Sequence, residues 1–425
     1  MGDFYDDRIA GKWDWSKEVG RAISKSNYLR SMRIAEPSHD EDYYDDDDND
    51  DDDDPNPPRH RLPPYGLPSF FIGLAENRSI EELDLNGFNH SYLNVFTTLA
   101  PFFECNTNLR SISMRTSVRL SERVPSLISA LVKTVGLKSI DISDNRLEDS
   151  VAADIINALR SMPGLHHLLE LHLGGNMIGQ HGCTAIRKLL QHPACKIQCL
   201  YIEDNNLDDV CMDILYGGLV SNTSIKRMNI DKLRCVTSSG WGVFFDVFSN
   251  SSCSLERIEA KLNHVGDAGA ISLGDSFATN RNMKCLNLHC SQCITQVGWQ
   301  GFSEGLGSLN CSLLELNISE CDINDEGALA VALALGENNS LVTLNMSENR
   351  NVSLSGWIDC FHILRQYEIR LHQLDLSRNN IDDLGATLLV TILVKMSALV
   401  SFRLLNVLSV SADGWREFAD VVSPR

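Results

Sequence analysis

A motif of the form L-x-x-L-x-L restarts twelve times along this chain, and nothing else in the sequence constrains the fold as tightly. It begins at Ile80, Leu109, Leu137, Leu168, Ile197, Ile225, Leu255, Met283, Leu313, Leu341, Leu371 and Leu399, at nearly even intervals. Of the 36 first, fourth and sixth positions, 35 carry Leu, Ile, Met or Phe, and Ala260 is the exception. The L-x-L alternation is that of a half-buried strand, so positions three, five and seven face the other way. Position nine is Asn145, Asn176, Asn205, Asn263, Asn349 or Asn379 in six repeats, and Cys321 in another. A buried amide there can donate to and accept from backbone groups where strand pairing has ended. A helical stretch such as Glu326 to Leu335 follows, and turn residues such as Asn338 to Ser340 lead to the next strand. One strand plus one helix cannot bury its apolar face alone, so each unit must stack on its neighbours. The expected architecture is an α/β solenoid of about 12–13 repeats, with a parallel sheet on the concave face and helices on the convex face.

A second period runs on top of the first. Gly-Trp recurs at Trp241, Trp299, Trp357 and Trp415, in every second repeat and always at position 17 of it. The intervening repeats carry Gly269-Ala270, Gly327-Ala328 and Gly385-Ala386 instead. Each tryptophan is expected to fill a gap behind the sheet, complementing its neighbours' small residues, and not to form a binding stripe.

The run from Leu371 through Leu374, Leu376 and Asn379 to Ile381 resembles the leucine-rich repeat of the ribonuclease-inhibitor type. The alternation of shorter units, such as Leu313 to Leu341, with longer ones, such as Leu341 to Leu371, supports the resemblance. It covers Ile80 to the C-terminus. It implies a horseshoe fold and, more loosely, a shared activity of holding another protein. Ribonuclease inhibitors, Ran GTPase-activating proteins and NOD-like receptor repeats belong to this type.

Upstream, Leu29, Met32 and Ile34 fit one more strand, with Glu18 to Asn27 as the helix before it and Pro68 to Ala75 as the helix after it. The stretch from Leu29 to Ile80 is far longer than one repeat requires, and the surplus matches roughly Pro37 to His60. The expected organisation is an N-terminal cap and first strand over 1–36, an acidic disordered insertion over 37–60, and the solenoid over 61–425. The insertion holds twelve of the chain's acids between Asp40 and Asp54, so the net charge of −20 divides into −12 over 40–54 and −8 elsewhere. Its run of Asp45, Asp46, Asp47, Asp48, Asp50, Asp51, Asp52, Asp53 and Asp54 cannot pack against itself, and it reads either as an attractor of a basic protein partner or as a tolerated, solvated insertion. The overall acidity argues against nucleic acid and anionic membrane as partners.

The N-terminus lacks the apolar core of a secretion signal, and no apolar run reaches membrane-spanning length. Thirteen cysteines without a framework spacing read as reduced thiols, so a cytoplasmic monomer is expected, with the nucleus a second possible compartment. Nine N-x-S/T sequons, Asn222 and Asn338 among them, read as turn residues.

No phosphate-binding loop, zinc-protease helix, nucleophile elbow or dinucleotide fingerprint occurs. Cys285, His289, Cys290 and Cys293 cluster in sequence, but Cys285 and His289 fall about 13 Å apart along a strand at ~3.3 Å per residue, too far for one zinc. No catalytic residue, metal or cofactor is assigned. The outward strand positions remain: Glu170, His172, Tyr201, Glu203, Arg227, Arg257, Glu259 and Lys261 are the candidate partner-binding residues. Arg227 and Arg257 should stand side by side on adjacent strands, neutralised by Glu259 and Asp231 or by an anionic partner. The expected function is a non-enzymatic interaction scaffold. The alternatives are a GTPase-activating protein of the Ran type, for which no catalytic Arg or Asn can be matched, and another regulator or sensor module.

Overall fold

The computed structural model describes residues 21–33, 72, 74–87, 95–117, 120–250, 252–407 and 409–422. The acidic segment 37–60 and the N-terminal Trp13 and Trp15 lie outside these residues. The chain divides into two compact units, Met1–Leu173 and Gly174–Arg425.

The first unit contains five strands among its described residues: β1 (Ser31–Arg33), β2 (Glu82–Asp84), β3 (Ser111–Ser113), β4 (Ser139–Asp141) and β5 (Glu170–His172). They pair in chain order, all parallel and in register, aligning Met32, Leu83, Ile112, Ile140 and Leu171. The pairing of β1 with β2 extends the repeat pattern upstream of Ile80. Residues 21–25 before β1 and 74–76 before β2 are helical, with Ile23 and Leu74 buried.

The second unit continues the plan with β6 (Cys199–Tyr201), β7 (Arg227–Asn229), β8 (Arg257–Glu259), β9 (Cys285–Asn287), β10 (Glu315–Asn317), β11 (Thr343–Asn345), β12 (Gln373–Asp375) and β13 (Ser401–Arg403). Their central residues run in register from Leu200 through Leu286 to Phe402. A helix follows each strand on the other layer, from Asp209–Leu219 after β6 to Ala412–Val422 after β13. The core lies between the layers. Of the 36 motif positions only Leu399 and Phe402 are not buried, because β13 is the last described strand and has a neighbour on one side alone.

Each strand is only three residues long, and the backbone shows why. Position eight is left-handed in all twelve repeats from Gly87 to Asn406, with φ between +51° and +71°. That turn ends the strand and aims the position-eight N–H at the position-seven carbonyl of the next repeat, as in Asp204 to Asp231 and Glu320 to Ser347. Most of these residues are not glycine, so the geometry is imposed by the stack against local preference. Leu262, at φ +58°, carries the strain with its side chain exposed. Leu262→Asn is expected to raise stability by about 1 kcal/mol, measured as a higher thermal midpoint; an unchanged or lower midpoint would contradict this.

Asparagine supplies two ladders inside the stack. At position nine, Asn263 donates to the carbonyls of Ile230 and Ala260 at 2.9 Å, and its Oδ1 accepts the N–H of Leu233 at 2.7 Å. Asn349 and Asn379 repeat this arrangement, and the Cys321 thiol donates to the Leu288 carbonyl at 3.0 Å. Three residues before the motif, Asn77, Asn106, Asn222, Asn280 and Asn338 donate back to the preceding helix or strand and accept the first motif N–H at 2.7–3.1 Å. Asn77, Asn222 and Asn338 belong to sequons, and their buried amide nitrogens are engaged inside the fold.

The tryptophan period has a mechanical origin. Asp209, Asp267, Asp325 and Asp383 each accept both the N–H and the hydroxyl of Thr237, Thr295, Ser353 and Ser411 in the next repeat, at 2.6–2.8 Å. The glycine of each Gly-Trp pair sits beneath that carboxylate: a Cβ on Gly240, Gly298, Gly356 or Gly414 would come within 2.1–2.4 Å of its Oδ1. The tryptophan then points into the core. Trp241 and Trp299 are fully buried, and a Cβ on Gly269 or Gly327 in the next repeat would meet their side chains at 2.9 and 3.0 Å. Trp415, on the last helix, is only partly covered and packs on Phe418.

Candidate protein-binding face

Positions three, five and seven of every strand face away from the helices, and their side chains form the outer face of the strands. In the first unit Glu170 and His172 stand on β5, with His172 Nε2 3.8 Å from a Glu170 carboxylate oxygen. In the second unit Tyr201 and Glu203 are half-buried at its first strand. The carboxylate of Glu203 lies over Gly174, where a Cβ would come within 2.5 Å of it.

The centre of the second unit's face is a charge network. Arg227 and Arg257 stand in register on β7 and β8. Arg257 reaches past Cys285 on β9 to Glu315 on β10 at 2.8 Å and lies 3.5 Å from Glu259. Lys261 pairs with Asp231 at 3.2 Å and Glu259 at 3.8 Å, and its backbone N–H donates to Asp231 at 2.6 Å. The expected neutralisation by Glu259 and Asp231 therefore holds in part for Arg257, through Glu259, and not for Arg227. Asp231 turns to Lys261, and Arg257 takes its closest contact from Glu315, a partner two strands away. Among the described residues the Arg227 guanidinium has no acceptor.

Burial dominates the electrostatics. It raises the Asp231 carboxyl above the ordinary aspartate range, despite the bonds from Lys261 that favour its charged form. Burial works to lower Arg257, but its bond to Glu315 and the nearby Cys285 and Glu259 raise it above the ordinary arginine value. Cys285, buried between that pair and hydrogen-bonded to Glu315, is pushed up to about 11. That is the reverse of an activated thiolate. His289 contacts the Ser319 hydroxyl at 2.9 Å and lies 3.7 Å from Glu320, which superficially matches a Ser-His-Glu constellation. The Ser319 hydroxyl, however, is buried and gives its proton to Asn317 at 2.7 Å, so the group acts as a strand-end brace and not as a nucleophile.

Among the described residues no group of three or more His, Cys, Asp or Glu is placed to hold a metal ion, and no helix is long and apolar enough to cross a membrane. All thirteen cysteines are free thiols. The sequence placed the outward positions but not the pairing of Arg257 with Glu315 across β9 or the contact of His289 with Ser319. The types of Glu315 and His289, one acid and one histidine at positions three and seven, were the available signal.

A leucine-rich repeat family model matches residues 164–186, 309–332 and 371–390. Human NACHT, LRR and PYD domains-containing protein 5 is 25% identical over 268 residues, covering 63% of this chain and 22% of that protein. Mouse ribonuclease inhibitor is 24% identical over 247 residues, covering 58% of this chain and 53% of the inhibitor. The chain spans between about a fifth and a third of the length of NACHT, LRR and PYD relatives that it matches. An internalin structure from Listeria monocytogenes aligns with a TM-score of 0.48 at 13% identity, over 92% of this chain and 94% of that one. With in-register strands, a position-nine asparagine ladder and alternating shorter and longer units, the chain is a leucine-rich repeat solenoid similar to the ribonuclease-inhibitor type.

Proposed function

We propose that the chain holds a protein partner on the strand face without performing chemistry on it. The observation that supports this best is the network on β7 to β10, in which Arg257, Lys261, Asp231, Glu259 and Glu315 are mutually bonded and mounted on in-register strands. Such groups offer a partner donors and acceptors whose ordering cost has already been met in the free protein. Tyr201 is the one aromatic among the candidate contacts, which fits a polar interface of moderate affinity. The match to an inhibitor named for binding a ribonuclease supports a protein-holding role. The acidic segment 37–60 is proposed as an insertion between the first strand and the helix that follows it, adding attraction for a basic partner. A monomer in the cytoplasm completes this reading.

Affinity capture with the wild type, an Arg257→Glu/Lys261→Glu variant and a form lacking residues 37–60, at low and high salt, tests it. A partner bound through this face is lost with the double variant, and one drawn by the acidic segment is lost with the deletion and with salt. Capture indifferent to the double variant would overturn the strand-face reading. Multiple-turnover acceleration of GTP hydrolysis by a small GTPase would overturn the non-enzymatic one. The deletion is expected to leave the thermal midpoint unchanged; loss of cooperative unfolding would refute the insertion placement.

A further inference from the structure

We propose that the outer face of β7 to β11 is built to receive an acidic segment of the partner, with two carboxylates about four residues apart. The inference rests on the strand-face reading above.

Position five is asparagine in four of these five strands: Asn229, Asn287, Asn317 and Asn345. In each the Oδ1 accepts the N–H of position seven, from Asp231, His289, Ser319 and Ser347, at 2.9–3.0 Å. That bond satisfies a backbone donor where the short strand stops. Because a backbone N–H fixes which end of the amide faces inward, the Nδ2 donor is turned toward the outer face. Asn287 gives its Nδ2 to Glu259 at 2.8 Å. The Nδ2 groups of Asn229, Asn317 and Asn345 have no acceptor among the described residues. Arg227, two residues before Asn229 on the same face, is in the same condition. The carboxylates of this face, Asp231, Glu259 and Glu315, are all engaged by Lys261 and Arg257. The surplus is therefore of donors.

The strand-ending bond does not itself demand asparagine. Asp84, Asp141 and Asp375 occupy the equivalent position on β2, β4 and β12 and accept the same N–H at 2.9–3.0 Å. With aspartate, the remaining atom is an acceptor. The run of asparagine on β9, β10 and β11 thus sets the polarity of the face independently of the fold.

Asn317 and Asn345 stand in register on neighbouring strands, ~4.8 Å apart, close enough to share one carboxylate. Arg227 with Asn229 forms the second place, three strand spacings from Asn317, or roughly 14 Å. An extended chain covers that distance in about four residues. A nucleic-acid backbone would need several unengaged cations, and this face offers one.

The test uses the whole chain and an array of Gly/Ser peptides carrying two glutamates at separations from two to eight positions. Retention should peak at a separation of four and fall about tenfold or more when either glutamate becomes glutamine. Asn345→Asp, Asn317→Asp and Arg227→Gln should each cause a comparable loss with unchanged circular dichroism, since aspartate preserves the strand-ending bond. No retention, retention indifferent to charge, spacing or these variants, or tighter binding of a single-stranded oligonucleotide would each overturn the proposal. If partner capture depends on Arg257 and Lys261 but ignores Arg227→Gln and Asn345→Asp, the acidic-segment inference fails while the strand-face reading stands. If capture ignores all of them, the strand-face reading has failed.

Discussion

Trp299→Ala is expected to destabilise the second unit by about 3–5 kcal/mol. The indole is fully buried, packs edge-on against Phe302 and covers Gly327 of the next repeat, so its removal leaves a void bordered by two repeats. The neighbouring glycine has no side chain with which to refill it. Trp299→Phe should cost much less than the alanine change, for a second reason. Among the described residues the Trp299 indole N–H has no hydrogen-bond partner, as is also true of Trp241 and Trp357, and phenylalanine removes that unsatisfied donor along with the lost ring. Chemical denaturation of the two variants checks the pair. Equal losses would mean that the indole is held by something other than packing.

Gly305→Ala should be nearly as damaging, through the opposite fault. The helices Gly266–Phe277 and Gln296–Leu306 touch backbone to backbone: a Cβ on Gly305 would lie 1.8 Å from the Gly274 carbonyl oxygen. A Cβ on Gly274 would lie 2.1 Å from the carbonyl of Gly301. No rotamer change relieves a clash with main chain, so the helices must separate, at a cost of about 3 kcal/mol or more. Gly307→Ala supplies the control. Its nearest neighbour would be at 3.4 Å and its backbone is already in the right-handed helical region, so the substitution should be neutral or slightly stabilising. A Gly305 variant as stable as the Gly307 variant would show that the helix pair tolerates a wider spacing.

The repeat was legible because burial repeats: residues such as Leu83, Ile140 and Leu316 recur where a strand must face a helix layer. The tryptophan period was legible for the same reason, and the core placement of Trp241 and Trp299 followed from their small neighbours. What could not be read was geometry that residue type does not encode. The left-handed turn at position eight is occupied by Thr116, Lys232, Leu262, Cys290 and Arg378, types that individually avoid it. The role of the glycine before each tryptophan was equally hidden: it is required by an aspartate of the preceding repeat, as Gly298 is by Asp267.

On the outer face, the register of Arg227 beside Arg257 was correctly anticipated. The side chains then chose partners by reach. Arg257 is long enough to pass a buried cysteine and meet Glu315, and this leaves Arg227 alone. The orientation of an asparagine amide depends on one backbone N–H two residues on, so the donor character of Asn317 and Asn345 emerges only in three dimensions.

The bond from each helix-start aspartate to the next repeat's Thr or Ser also bears on how such a chain can grow. Asp267 must be followed by a repeat offering Thr295 and bare Gly298, and that repeat in turn by one offering Gly327 beside Trp299. Excising one repeat would set two carboxylates or two tryptophans against each other. The heritable brick is accordingly the pair: gaining or losing two consecutive repeats preserves every junction, whereas gaining or losing a single one spoils its neighbours' fit.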